Sequence, residues 1–326
     1  MFRYLVRRIL WAVLLFIVVT FVTFVIFFLT PASPGRAVCG GDQAKPACIK
    51  AATKHLGLDK PVYVQYYRFL KQLVVHRSLG TSFLTGESVN HIVAQAAPVT
   101  ASLVFGGAIL WMLIGLVVGI FSALRPRSLL DRVAMVGVLI GVSAHPVWIG
   151  LIFSYFFGYK WGLTPIAGYS NLFNLWGAVP GESSGLWPWF SHMILPWCTF
   201  AILFAALYVR MIRANVMETL NEDFVRTARA KGAPEGRVMR QHVLRNAMLP
   251  VVTMLGMDIG IALGGAVFTE TVYNLPGLGR TAILAIGGYD LAVVQGIIVF
   301  STLCIIVFNL LVDLLYAWID PRIRLN

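Results

Sequence analysis

The chain has 326 residues, of which 58% are hydrophobic and 12% charged. That composition excludes a soluble globular domain and fits a chain that crosses a bilayer several times. The formal net charge is +12, but the cations lie between apolar runs and no base-stacking platform or DNA-binding motif is present, so nucleic acid is excluded as a partner.

Met1–Arg8 carries three arginines, and Ile9–Leu29 is apolar but for Thr20 and Thr23. That run is long enough to span a bilayer. It exceeds an ordinary leader core and no A-x-A site follows, so it reads as a first membrane helix. Residues 31–97 are hydrophilic. This segment opens with turn formers, contains Cys39 and Cys48, and continues into Leu56–Val74, where Val62, Tyr66, Phe69, Leu70 and Leu73 recur at helical spacing. The spacing predicts an amphipathic helix lying on the membrane face or on the bundle.

Pro98–Ala123 is the second spanning run and Arg125–Arg132 a short basic turn. Val133–Phe157 is the third span. Pro146 inside it predicts a kink, which a bundle tolerates where neighbours or water satisfy the freed carbonyl. Gly158–His192 is a loop whose Trp161, Trp176, Trp187 and Trp189 suit a membrane–water boundary;. Met193–Ile212 is the fourth span, with Pro196 in its first turn.

Asn215–Pro250 is polar and basic, and predicts two short helices. Asn221 is placed to cap the first, with Glu222 and Asp223 favourable to its dipole. Gly232 ends it as a C′ glycine, and Pro234 opens the second at its first position. Val238, Met239, His242, Val243, Met248 and Leu249 make a mixed face, while Arg237, Arg240 and Arg245 stay wet. Ala247–Thr271 is the fifth span; Gly256, Gly260, Gly264 and Gly265 allow close helix approach. Leu291–Trp318 is the sixth, followed by a short tail. The chain thus divides into 1–30, the extramembrane segment 31–97, a core 98–318 containing the basic loop 213–246, and the tail 319–326.

Sixteen of the 26 Lys and Arg residues fall on one side if the N-terminus is cytoplasmic. The two short loops on the other side hold only Lys160 and Arg280. The positive-inside rule then puts both termini and the 213–246 loop in the cytoplasm. The fold class is an all-α polytopic membrane protein with six transmembrane helices.

The basic loop resembles the cytoplasmic coupling loop of ATP-binding-cassette import permeases, E-A-A-x-x-x-G followed by I-x-L-P. Ala228 takes the second alanine, Gly232 the glycine and Leu244 the leucine. Arg226 stands at the glutamate, Thr227 at the first alanine, His242 at the isoleucine and Arg245 at the proline. The form T-A-R-A-K-G, with L-P moved to Leu249 and Pro250, is similar to the dipeptide/oligopeptide subfamily. So are L-G-L-D-x-P from Leu56, Gln65–Tyr66, Leu79–Gly80 with Ser82, the Ser143, Pro146, Trp148, Gly150 pattern, N-L-P-G-L-G-R from Asn274, and Gly287–Asp290.

The resemblance covers nearly the whole chain. It implies the type I importer permease fold and a subunit forming half of the translocation path of an ATP-driven di- or oligopeptide importer. The alternative cargoes of related permeases are nickel complexes, glutathione and haem. The implied partners are a second homologous permease, two nucleotide-binding subunits or domains, an extracytoplasmic substrate-binding protein and the lipid bilayer. Asn221, Glu222, Asp223, Arg226, Ala228, Arg229, Lys231, Gly232 and Arg237 would face the ATPase. No G-x-x-x-x-G-K-S/T run occurs, so ATP and Mg belong to the partners and this chain holds no cofactor and performs no covalent chemistry. No metal-ligand spacing is present.

Asp258 sits mid-span, where an ionisable group costs several kcal/mol (about 2.5–3.5 on insertion scales) unless paired or wet. It is a candidate for the path, or a packing acid bonded to a neighbouring helix. Ser143 and His145 are further path candidates, with a satisfied core histidine the plainer reading of His145. Asp313 reads as a partner of Arg322 or of another basic loop residue. Glu270, Arg280 and Asp290 cluster by sequence and predict a local ion pair in an outer gate loop. Cys198 and Cys304 are apolar space-fillers. Cys39 and Cys48 lie on the oxidising side and predict a disulfide. The segments Pro31–Lys50 and Gly158–His192 are candidate contacts for the binding protein.

A secondary transporter would carry internal repeats and more intramembrane charge. A channel would show a filter and have no use for a 36-residue basic loop. Neither fits.

Overall fold

The structure, a computed structural model, describes residues 2–29, 39, 45–55, 61–172, 184–264 and 266–319. These form α1 (Phe2–Leu29), α2 (Pro46–His55), α3 (Val62–Val75), α4 (Val89–Leu124), α5 (Leu129–Ser143), α6 (Pro146–Lys160), α7 (Leu186–Leu220), α8 (Asp223–Ala230), α9 (Glu235–Ala247), α10 (Leu249–Ala262), α11 (Val267–Val272), α12 (Leu278–Gly287) and α13 (Leu291–Ile319). No strand occurs among the described residues, only an isolated bridge between Thr81 and Ser88. Four helices, α1, α4, α7 and α13, are each long and apolar enough to cross a membrane. Two bent pairs, α5–α6 at 104° and α9–α10 at 45°, bring the total to six if each counts as one span.

The boundaries differ from the apolar runs in instructive ways. Helices α4 and α7 hold 36 and 35 residues, so they extend well beyond Pro98–Ala123 and Met193–Ile212. Pro98 and Pro196 therefore lie inside helices, and Pro196 is not in a first turn. The third run does not merely kink at Pro146. A residue before proline is driven to extended backbone, and His145 adopts φ −74, ψ 135 while its Nδ1 accepts from Val147 N–H at 3.3 Å. That cap starts a new helix in a new direction. The fifth run is not one helix either: it turns at Met248 and ends at Ala262, and α11 begins only at Val267.

The core is built on α4 against α7. Trp111 is fully buried and stacks on Phe204 with ring centroids 4.6 Å apart. The two backbones meet closely because α4 offers glycine there: a Cβ on Gly115 would lie 2.9 Å from Tyr208 Cβ, and one on Gly119 3.0 Å from Ile212 Cβ. Around this pair, α5 packs on α7 and α10 on α13, while α1 leans on α13 at the periphery.

Candidate functional site

The α8–α9 hairpin is assembled from one buried and one wet face. Val225, Ala228, Val238 and Val243 are buried in the main core together with Val216 of α7 and Ala247 of α9. Glu222, Asp223, Arg226, Arg229, Lys231 and Arg237 are exposed. Asn215 of α7 donates from Nδ2 to Ala247 O at 3.3 Å, tying the root of the hairpin to its far end. The hairpin is therefore packed onto α7, runs on into α10, and presents a charged surface outward.

Asn221 does not cap α8. It is the C-cap of α7 and its Nδ2 donates to Met217 O at 2.9 Å. Glu222 is the N-cap of α8, without a side-chain bond. The physical reason is that α7 runs on to Leu220, which leaves Asn221 inside the closing turn of the preceding helix. Gly232 has φ +78. Its N–H donates to Arg229 O at 2.9 Å and Ala233 N–H to Ala228 O at 3.3 Å; this double bond pattern is a Schellman motif. Pro234 is the N-cap of α9, one position before the one expected. Arg229 bridges to Glu235 at 2.8 Å across the turn, whereas Arg226 and Asp223 form an exposed pair at 3.7 Å of little energetic weight. Within α9, Val238–Val243 is π-helical, a distortion often found at functional sites.

At the root of the hairpin lies a cluster that sequence reading missed. Asp131 of α5 is buried and receives Arg213 Nε at 2.7 Å and Nη2 at 2.9 Å, the hydroxyl of Ser122, and Arg127 N–H at 2.9 Å. It joins α4, α5 and α7. The available signal was an acid in the first turn of a span and an arginine late in another, 82 positions apart.

The path candidates are separated into two places. Ser143 and His145 are exposed at the α5–α6 break. His145 is thus not a core histidine; its ring meets Phe268 of α11 edge-on at 4.9 Å. Tyr273, also missed, is buried behind this break. Its hydroxyl donates to Gly150 O at 3.2 Å and pairs with Thr199 at 2.8 Å. The α5–α6 break therefore lies beside α11, the short helix that follows the end of α10. Asp258 is half-buried on α10 and accepts from Tyr208 of α7 at 2.7 Å.

The expected ion pair of the gate loop is replaced by two separate knots. Glu270 is fully buried, accepting from Thr100 Oγ1 at 2.6 Å and from the backbone N–H of Arg280 at 2.9 Å. Asp290 accepts from the Ser82 hydroxyl and Phe83 N–H instead. A buried carboxylate is satisfied by converging N–H and O–H donors as well as by a cation, and the guanidinium is not needed. Cys39 and Cys48 are joined in a disulfide with Cα atoms 6.0 Å apart. The side chains of Asp313 and Arg322, and most of Pro31–Lys50 together with residues 173–183, lie outside the described residues.

Residues 115–325 match the family model for the inner membrane component of binding-protein-dependent transport systems, and residues 1–104 match the model for its N-terminal part. The chain belongs to this family. It is a multi-pass inner-membrane transport component. Among its relatives are a probable D,D-dipeptide transport system permease protein of Escherichia coli, 36% identical over 98% of this chain and 97% of that one, and a dipeptide transport system permease protein of Alkalihalophilus pseudofirmus, 35% identical over 99% and 100%. A putative peptide permease protein of Brucella suis is 38% identical over the full length of both. The crystal structure of an amino acid ABC transporter with histidines shares the fold, with a TM-score of 0.51, 16% identity, and coverage of 70% of this chain and 94% of that one.

Proposed function

We propose that this permease forms half of the translocation path of an ATP-driven importer of di- or oligopeptides, with a second homologous permease as the other half. The peptide cargo follows the relatives, three of which carry dipeptide or peptide transport in their names. Both termini and the α8–α9 hairpin are cytoplasmic, in keeping with the charge asymmetry of the loops. Two nucleotide-binding subunits carry ATP and Mg, and an extracytoplasmic binding protein delivers cargo.

The observation that carries the coupling role is the division of the hairpin. Its apolar side is locked into the α7 core while its charged side is open. A push by a closing ATPase pair on that charged side is passed to α7 and α10 as a rigid-body displacement. Ser143 and His145, at the α5–α6 break, and Asp258, on α10, line the path. Irregular backbone at membrane depth is tolerated where it is buried in protein or lines a water-filled cavity, and the exposure of Ser143 and His145 fits the second case.

Single cysteines test the coupling contact. Arg226→Cys and Arg229→Cys in the assembled importer should cross-link to the ATPase subunit with a short bifunctional reagent, and Tyr63→Cys should not. Absence of any hairpin cross-link in a complex that hydrolyses ATP would remove the assignment.

A further inference from the structure

Asp258 is held on one side only. Its Oδ2 accepts from the Tyr208 hydroxyl at 2.7 Å, and no other hydrogen bond and no cation reaches the carboxylate among the described residues. Tyr208 is itself fixed by the core. It is fully buried, and its ring centroid stands 6.1 Å from that of Trp111, which is fully buried too. The acid therefore keeps a defined position with Oδ1 unpaired. At ~1.5 Å per residue it lies about 14 Å along α10 from Leu249, near the midplane of a hydrocarbon layer about 30 Å thick.

Two features select what can meet that oxygen. The first is the border of the acid. Met254, Met257 and Ile261 are exposed, and at about 100° per residue they share one side of α10 with Asp258. Methionine is unbranched and adapts to neighbours of different shape. The second is the end of the helix. Helix α10 stops at Ala262, one turn past Asp258, and α11 begins only at Val267. The interruption leaves the negative end of the α10 dipole beside the acid. A carboxylate at membrane depth is costly unless paired or wet, and the helix end adds to its demand for a cation. Lipid chains supply none.

Resting on the assignment of Asp258 to the path, we propose that Asp258 receives the α-ammonium of the passing peptide, and that Met254, Met257 and Ile261 take up its first side chain. The ammonium is common to unblocked peptides and the first side chain varies. A fixed acid bordered by methionines matches that division. A basic residue of the second permease is the poorer occupant, because a permanent pair would desolvate two charges and gain little over apolar packing.

The test uses the complete importer in nanodiscs, without ATP or binding protein, so that both faces are open to added peptide. Met257→Cys, with Cys198→Ala and Cys304→Ala, gives this chain a single free thiol, since Cys39 and Cys48 are linked. Its labelling is read by mass spectrometry. Cationic aminoethyl methanethiosulfonate should be favoured over the anionic sulfonatoethyl reagent beyond their ratio with a thiol in solution, and Asp258→Asn should abolish that preference. Alanyl-alanine should slow the labelling, and its N-acetyl analogue should need about tenfold more to do so, the equivalent of ~1.4 kcal/mol. Asp258→Asn should erase the difference between the two peptides and Asp258→Glu should keep it. The peptide comparison needs no change at Asp258, so it stands whether or not the asparagine variant assembles. A thiol closed to both reagents would overturn the path assignment and the proposal together. A reactive thiol protected equally by the two peptides would overturn the proposal alone, as would loss of the permease pair in Asp258→Asn with no preference for the cationic reagent in the parent.

Discussion

Removing Arg213 should cost more than removing the charge of Asp131. The Asp131 side chain is 6% exposed and that of Arg213 24%. Arg213→Met would leave a buried carboxylate with only the Ser122 hydroxyl and the Arg127 N–H. Stranding one member of a buried ion pair costs about 3–5 kcal/mol. Asp131→Asn keeps an acceptor oxygen for the Arg127 N–H, turns its amide N–H to the Ser122 hydroxyl as acceptor, and leaves a guanidinium that reaches solvent, so its cost falls nearer ~1–3 kcal/mol, that of an imperfectly satisfied polar group. The double variant removes both charges and should lose less than the two singles together, with a coupling of about 0.5–3 kcal/mol. Thermal unfolding of the purified protein followed by tryptophan fluorescence, with membrane abundance alongside, measures all three. Equal losses for the two singles, or losses that add, would show that the cluster is not a desolvated pair holding α4, α5 and α7.

Asp258→Asn should lower uptake while assembled complex is retained, and Tyr208→Phe should do the same through loss of the 2.7 Å bond; a complex that fails to assemble in both would make the pair structural. Gly277→Ala would drive a Cβ into the carboxylate of Glu270, which is fully buried, and should destabilise by about 1–3 kcal/mol as overpacking does, seen as reduced membrane abundance. Unreduced mass spectrometry of protein purified without reductant should find Cys39 and Cys48 linked, two mass units below the dithiol form of the peptide pair by elementary loss of two hydrogens (~2 Da).

Much of this architecture is legible in the apolar runs, since a bilayer demands long uninterrupted helices. Gly232 is legible too, because a left-handed C′ position has few other occupants. What failed was whatever depended on partners distant in sequence. Asn221 looks like a cap only if α7 stops before it, and α7 runs on to Leu220. Glu270, Arg280 and Asp290 look like an ion cluster because they are near in sequence, yet Thr100 and Ser82, contributed from 170 and 208 positions away, take the carboxylates. The break at His145 is half legible: Pro146 announces a disturbance, but nothing local gives the 104° between α5 and α6. Asp131 with Arg213, and Tyr273 with Gly150 and Thr199, carry no local signature at all.

If the α8–α9 hairpin transmits ATP hydrolysis to the bundle, Gly232 is the position that shows it with little interference from packing. Nothing lies within 4 Å of a Cβ built on this glycine, while its φ is +78. Substitution therefore perturbs backbone conformation rather than contacts. A β-branched residue is penalised there by about 1–2 kcal/mol, whereas asparagine tolerates the left-handed region. The measurement is peptide taken up per ATP hydrolysed in proteoliposomes containing the complete importer. Gly232→Val should assemble and hydrolyse ATP but import far less peptide per ATP, and Gly232→Asn should remain close to the parent ratio. An unchanged ratio for Gly232→Val in a fully assembled complex would contradict the claim.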